Sequence, residues 1–103
     1  MKTRFIIDDP DGRFRIEISA SKDKSIIMIE VSTEGVYFNA EQCLSDIGDK
    51  LLIYGASMHK LCGDVYIAYF INVPEFTMQQ TLEKLVYDFP TTVANNCKAL
   101  NHD

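Results

Sequence analysis

The chain has 103 residues, of which 47% are apolar, and this size and composition predict a single domain over residues 1–103. Its net charge of −5 argues against a surface built to bind phosphate backbones, and so against nucleic acid as a partner. Six of the ten basic residues fall within residues 1–24, a pattern typical of the solvated face of a sheet.

The three cysteines are Cys43, Cys62 and Cys97. Their odd number and wide spacing indicate free thiols in a reducing compartment rather than a disulfide framework. The opening MKTRFIIDDP lacks the apolar run of a signal peptide, and no stretch reaches the length of a membrane span. We therefore expect a cytoplasmic protein.

Alternation of polar and apolar residues predicts strands in the first third of the chain. In the turn DPDG between the first two strands, Pro10 suits the first corner and Gly12 relieves the exit. The apolar run VYIAYFINV later in the chain is typical of a central strand. The predicted strands are residues 4–8, 13–19, 25–32, the short 36–38, and 65–73.

Two segments have the apolar spacing of helices. Asn39 can cap the first, and Gln42 three residues later would complete a capping box. Thr77 is expected to cap the second, whose spacing continues to Leu100. Pro90 lies inside this run and predicts a kink or a break there.

These elements predict an α+β fold with the order β-β-β-(short β)-α-β-β-α. We expect an antiparallel sheet of about five strands, with both helices packed on one face. The predicted core face of the sheet comprises Phe14, Ile16, Ile18, Ile27, Ile29, Val31, Val65, Ile67, Ile71 and Val73.

The stretch SMHKLCGD, residues 57–64, concentrates a serine, a histidine, a cysteine and an aspartate. We interpret it as a hairpin with a two-residue turn at residues 63–64, in which Cys62 would pair with Val65. On a strand, His59 and Cys62 point to opposite faces and cannot form a base–nucleophile pair. The alternative is a continued helix, which would bring both to one face.

Other chemical sites lack essential members. Only His59 and Cys62 have the spacing of metal ligands, and no second short pair completes a zinc site. The sequence DDPDG begins like a calcium loop, but the required glycine and closing glutamate are missing. Glycine-rich phosphate loops are also absent. We therefore predict no catalytic residue, cofactor or metal, and no enzymatic activity.

The sheet face opposite the predicted core is not fully polar. It carries Ile26, Met28, Tyr66 and Phe70, and a monomer seldom leaves so much clustered apolar surface in water. The face is therefore predicted to bind a partner protein or a second copy of the chain. The alternatives are that the last helix or a loop covers it, or that the strand register is off by one residue.

The element order, together with KLLIYGASM (50–58), DVYIAYFINV (64–73) and FTMQQTLEKL (76–85), resembles the YbjN-like and type III secretion chaperone-like fold. The resemblance implies a small, acidic, non-enzymatic cytosolic protein, often dimeric, that binds and masks another polypeptide. It assigns a function to no particular residue.

Our first hypothesis is a protein-binding module, either an immunity protein against a toxin or a chaperone for a secreted client. Acidic side chains suit a basic toxin, and the candidates are Glu41, Asp46, Asp49 and Glu83. The alternative is a redox sensor or small enzyme that uses Cys62. A third option is a small-molecule or nucleic-acid binder that uses the basic N-terminal strands.

Overall fold

A five-stranded antiparallel sheet carries two helices on one face in the computed structural model. The structure describes the backbone at residues 2–50, 57–62 and 66–99, and the side chains at 2–49 and 71–99. In chain order the elements are β1 Arg4–Asp8, β2 Phe14–Ser21, β3 Ile26–Thr33, β4 Val36–Phe38, α1 Ala40–Lys50, β5 Ser57–Cys62, β6 Tyr66–Asn72, a 3-10 turn Glu75–Thr77, α2 Met78–Asn95 and β7 Cys97–Ala99.

The strand order in the main sheet is β1-β2-β3-β6-β5, and each neighbouring pair is antiparallel. The first three strands are joined by short turns, whereas β6 reaches β3 only after α1 and β5 have intervened. A second, two-stranded sheet pairs β4 with β7. The predicted α+β class is confirmed, and β6 is the interior strand that its apolar run indicates.

The core lies between the sheet and the helices. The register sets Ile16 opposite Val31 and Ile18 opposite Ile29, and all four side chains are buried. A fully buried isoleucine or valine contributes roughly 1.5–3 kcal/mol. Phe14, Ile27, Ile71 and Val73 are buried as well, so the predicted core face is confirmed at these positions. Predicted core residues Val65 and Ile67 lie outside the described side chains.

The turn between β1 and β2 is held by a buried carboxylate. Gly12 has φ +74°, a conformation that glycine adopts without strain, and its N–H donates to the Asp9 carbonyl at 2.9 Å. The Asp9 carboxylate accepts hydrogen bonds from the Arg13 backbone N–H at 3.0 Å and from Arg13 Nε at 2.7 Å. The bonds from the Arg13 side chain hold the pKa of Asp9 below its usual range.

We expect Asp9→Asn to destabilise the protein in a pH-dependent way. The pKa of Asp9 is lower in the folded than in the unfolded protein. Its carboxylate therefore contributes fully to the free energy of unfolding above the unfolded pKa of about 3.9, and this contribution is lost as pH falls through the folded pKa. The difference in free energy of unfolding between wild type and Asp9→Asn should therefore be largest near neutral pH and shrink below about pH 4. Urea titrations across pH measure it. Asp23→Asn, in an exposed turn, is the control; a pH-independent difference for Asp9→Asn would contradict the expectation.

The predicted N-terminal cap of α1 is confirmed. The Asn39 side-chain oxygen accepts from the Gln42 backbone N–H at 3.1 Å, and the Asn39 carbonyl accepts from the Cys43 N–H at 3.0 Å. The reciprocal half of the capping box is wrong. The Asn39 N–H donates to the Asn96 carbonyl at 2.9 Å, and the Gln42 amide donates to Asp46 instead.

The predicted cap of α2 is wrong, and so is a break of the helix at Pro90. Thr77 precedes the helix, but its hydroxyl donates to the Pro74 carbonyl at 3.2 Å and makes no cap bond. The helix also continues through Pro90 without interruption. A proline inside a helix costs about 3 kcal/mol, whereas each buried apolar side chain on α2 contributes roughly 1.5–3 kcal/mol. Tertiary packing therefore outweighs the lost backbone bond. The buried residues include Leu82, Leu85, Phe89 and Val93.

The helical spacing that predicts helix up to Leu100 fails at the end of the chain. The structure ends α2 at Asn95, and Cys97–Ala99 pairs with β4 as a strand. Asn96 explains the stop because its side-chain amide donates to the Thr92 carbonyl at 2.8 Å and to Asp46 Oδ2 at 3.1 Å. One side chain thus closes the end of α2 and contacts α1, immediately before β7 begins.

We expect Asn96→Ala to lower the free energy of unfolding by about 1–3 kcal/mol, because it removes both bonds and leaves a buried helix-end carbonyl without that donor. The adjacent Asn95 is exposed, so Asn95→Ala should change stability by less than about 0.5 kcal/mol. Urea unfolding monitored by circular dichroism compares the two variants. Equal effects of both substitutions would show that Asn96 has no special structural role.

Candidate protein-binding surface

The hairpin of β5 and β6 is formed, but its register differs from the prediction. Cys62 pairs with Ile67 and His59 with Phe70, so the register is shifted by two residues from a pairing of Cys62 with Val65. The two strands therefore need a longer connection than a two-residue turn. Because Ser57–Cys62 is a strand, the alternative of a helix continued through this segment is wrong.

The sheet face opposite the helices, called here the outer face, is charged along β1 and β2. Arg15 Nε lies 2.7 Å from Asp8 Oδ1, and Arg4 Nη2 lies 3.7 Å from Glu17 Oε2. The hydrogen bonds from Arg15 hold the pKa of Asp8 below its usual range. The basic side chains at these positions thus already face carboxylates. This arrangement does not favour the option of a nucleic-acid or phosphate surface on the N-terminal strands.

On β3 the outer face carries two apolar side chains. Ile26 and Met28 on β3 are half-buried, in contrast to the fully buried Ile27 between them. The register sets position 70 of β6 opposite Met28 and position 66 opposite Ser32. Because strand positions alternate between faces, Tyr66 and Phe70 occupy positions of this same face. We define the apolar strip as Ile26, Met28, Tyr66 and Phe70. The side chains of the last two lie outside the described residues.

Two of the alternative explanations for this strip are wrong. A register error of one residue is excluded because Ile27, Ile29 and Val31 are all buried against the helices. A cover by the last helix is excluded because α2 packs its own buried residues into the core cluster, on the other face of the sheet. A covering loop is the remaining alternative to an interface.

The predicted acidic residues lie on the helix side of the sheet. Glu41 and Asp49 are exposed on α1, whose buried residues Cys43 and Ile47 join the core. Asp46 is half-buried, and its carboxylate accepts hydrogen bonds from Gln42 and Asn96.

The predicted partner-binding residues therefore do not form one site. Ile26 and Met28 occupy one side of the molecule and the α1 acids the other. The sequence did not reveal that Asp46 accepts a hydrogen bond from Asn96 and so connects the two helices. The one available signal was the asparagine pair at 95–96, which is typical of the end of a helix. Glu83 on α2 is exposed, and it accepts a hydrogen bond from Gln79 at 3.3 Å.

Neither cysteine with a described side chain has the exposed thiol of lowered pKa that a reactive cysteine needs. Cys43 is fully buried in the core. Cys97 lies half-buried on β7, beyond the end of α2, and burial raises the pKa of its thiol despite the nearby Arg13 guanidinium. The Cys62 hypothesis stays a prediction, since that side chain lies outside the described residues.

A variant with Cys97 as its single thiol, Cys43→Ala with Cys62→Ser, should react slowly with a small thiol reagent at pH 7. A raised pKa lowers the thiolate fraction at neutral pH, so the rate should climb as pH rises beyond the usual thiol range of about 8.5. The control is the same variant unfolded in urea, which should react faster at pH 7. Equal native and unfolded rates would contradict the expectation.

No protein-family model, curated protein or solved structure matches this chain. The resemblance to YbjN-like and type III secretion chaperone-like proteins therefore stays a prediction. Among the described side chains, no three histidine, cysteine or acidic residues are grouped to hold a metal ion. None of the described helices is long and apolar enough to cross a membrane.

Proposed function

We propose that this chain is a non-enzymatic module that binds and masks a partner protein through the apolar strip, and that it acts in the cytoplasm. The observation that carries this proposal is the alternation along β3. Ile27 and Ile29 are fully buried under the helices, whereas Ile26 and Met28 are partly open on the outer face. Both described helices pack on the other side of the sheet, so neither helix covers Ile26 and Met28.

The surroundings of the strip support an interface. It lies on β3 and β6, which are interior strands, so its centre is a sheet surface rather than an edge. Glu17, Glu30 and Arg15 lie beside it on the same face and are partly or fully exposed. An apolar centre with a charged rim is the usual anatomy of a protein–protein interface.

Two kinds of partner suit the two sides of the molecule. An extended apolar segment of a client suits the strip, as the chaperone-like variant requires. A basic toxin would suit the α1 side, where Glu41 and Asp49 are exposed. The strip favours the chaperone-like variant, because Ile26 and Met28 are apolar and partly exposed on the outer face.

The substitution Met28→Lys should abolish partner binding while the protein stays folded. Lysine at a half-exposed position keeps its charge in water, whereas at an interface centre it would be buried unpaired. The neighbouring Ile27→Lys is the matched control, because that side chain is fully buried and its replacement should unfold the protein. Circular dichroism and urea unfolding report the fold. Retained binding by folded Met28→Lys, or unfolding by Met28→Lys, would contradict the proposal.

The partner is identified by a tagged pull-down from the host lysate, run in parallel with wild type and Met28→Lys. A protein captured in stoichiometric amount by the wild type but not by Met28→Lys supports the apolar strip as the binding surface. The salt dependence of the association rate then separates the variants, since steering by exposed charges weakens at high ionic strength. Strong salt dependence, reduced further by Glu41→Lys with Asp49→Lys, indicates a basic toxin; salt-insensitive binding indicates an apolar client segment.

A further inference from the structure

Strand β1 forms one edge of the main sheet, and among the described residues nothing pairs with its outer side. The strand is short, RFIID, with apolar residues at its centre and opposite charges at its two ends. Ile6 at the middle is 51% exposed. Open edges are templates for another strand, so the hydrogen-bonding groups along this one decide what could add to it.

The outward-facing backbone groups can be identified from the bonds to β2. The Ala20 N–H donates to the Thr3 carbonyl at 2.8 Å, and the Asp9 N–H donates to the Phe14 carbonyl at 3.0 Å. Odd-numbered residues of this segment therefore direct their backbone groups to β2. Because these directions alternate in an antiparallel pair, Arg4, Ile6 and Asp8 present their N–H and C=O groups to the open edge.

We propose that β1 pairs in antiparallel fashion with β1 of a second copy of this chain, about a two-fold axis at Ile6. In this register Ile6 meets the partner's Ile6, and Arg4 meets the partner's Asp8. Arg4, Ile6 and Asp8 all present their backbone N–H and C=O groups to the open edge. Two copies related by this two-fold axis can therefore form backbone hydrogen bonds at all three positions. A one-residue slip would lose both the bonds and the charge match.

The charged residues of β1 favour pairing with a second copy of the chain. They do not have the pattern of charges that keeps other strands away from an exposed edge. A strand that repels its own copies carries like charges, whereas here the ends carry one positive and one negative side chain. Asp8 is already paired with Arg15, and Arg4 lies 3.7 Å from Glu17. In the proposed register Asp8 would lie between Arg15 of its own copy and the partner's Arg4, which in turn lies beside the partner's Glu17. Positive and negative side chains would therefore alternate across the joined β1 strands.

The helix side of the same edge has room for an apolar contact. Phe5, Val86 and Tyr87, with Glu83 at the rim, line an open groove of ≈ 420 Å³ between β1 and α2. Tyr87 is 84% exposed. The register places the partner's Ile7 opposite Phe5, at the mouth of this groove. The two cores would then continue into each other beneath the joined sheets.

Pairing at β1 is independent of the proposed function because it uses neither Ile26 nor Met28. A two-fold axis perpendicular to the sheets leaves both outer faces on the same side of the dimer. Two apolar strips would therefore point in one direction. The substitution Met28→Lys should leave the dimer intact, so the two proposals can fail separately.

Ile6→Pro separates association from folding. Its N–H faces outward, so proline leaves the bonds between β1 and β2 in place, but it removes a donor at the two-fold axis and blocks the approach of the second strand. Ile6→Val keeps the donor and the strand preference. Sedimentation equilibrium should show a wild-type dimer, a dimeric Ile6→Val and a folded, monomeric Ile6→Pro. A monomeric wild type, or a dimer that survives Ile6→Pro, would overturn the proposal.

A mixing experiment tests the register. Arg4→Glu alone would set glutamate against the partner's Asp8, and Asp8→Lys alone would set lysine against the partner's Arg4. Each homodimer should therefore weaken, by roughly tenfold to a hundredfold in dissociation constant. When the two variants are mixed, both contacts join opposite charges again. Native mass spectrometry of an equimolar mixture should then find the mixed dimer well above the one half of all dimers that random pairing gives; a random 1:2:1 mixture would rule out this register.

Discussion

The fold depends on the apolar face that β2 and β3 share. Ile16 and Val31 are opposite one another, as are Ile18 and Ile29, and only this face offers the helices a continuous surface to bury. A slip of one residue would move every one of these side chains to water, so the register is strongly determined. The same alternation places Ile26 on the opposite face. The core and the proposed binding surface are therefore two consequences of one strand pattern.

Polar contacts fix how the helical layer ends. Asn96 joins the last turn of α2 to Asp46 in α1, and its carbonyl accepts the N–H of Asn39, which is itself the cap of α1. The start of one helix and the end of the other are thus held by the same residue. Beyond it, β7 carries Cys97 close enough to Arg13 and Asp9 for their charges to act on its thiol, so the β1–β2 turn lies at this end of the molecule too.

Predictions from the sequence succeeded where the signal is local and repeated. Strand alternation identified the core face, and Asn39 identified the start of α1. Thr77 was misread because a threonine hydroxyl bonds a preceding carbonyl as readily as it caps a helix. Pro90 does not break α2, because packing against the sheet outweighs a local preference. The pairing of Cys97–Ala99 with β4 joins segments far apart in sequence, and no local pattern specifies it. For the same reason, helical spacing could not reveal that the α1 acids and the apolar strip lie on opposite sides of the sheet.

The strand order has a consequence for how the chain emerges from the ribosome. Strand β3 is complete at residue 33, but β6, its second neighbour, begins only at residue 66. At about 5–20 residues per second, synthesis of residues 34–65 takes roughly two to six seconds. During that interval β3 has no partner on the side that later pairs with β6. The apolar face of β1, β2 and β3 also lacks α2, which has not yet been made. Until β6 has been made, the inner edge of β3 therefore has no partner strand from its own chain.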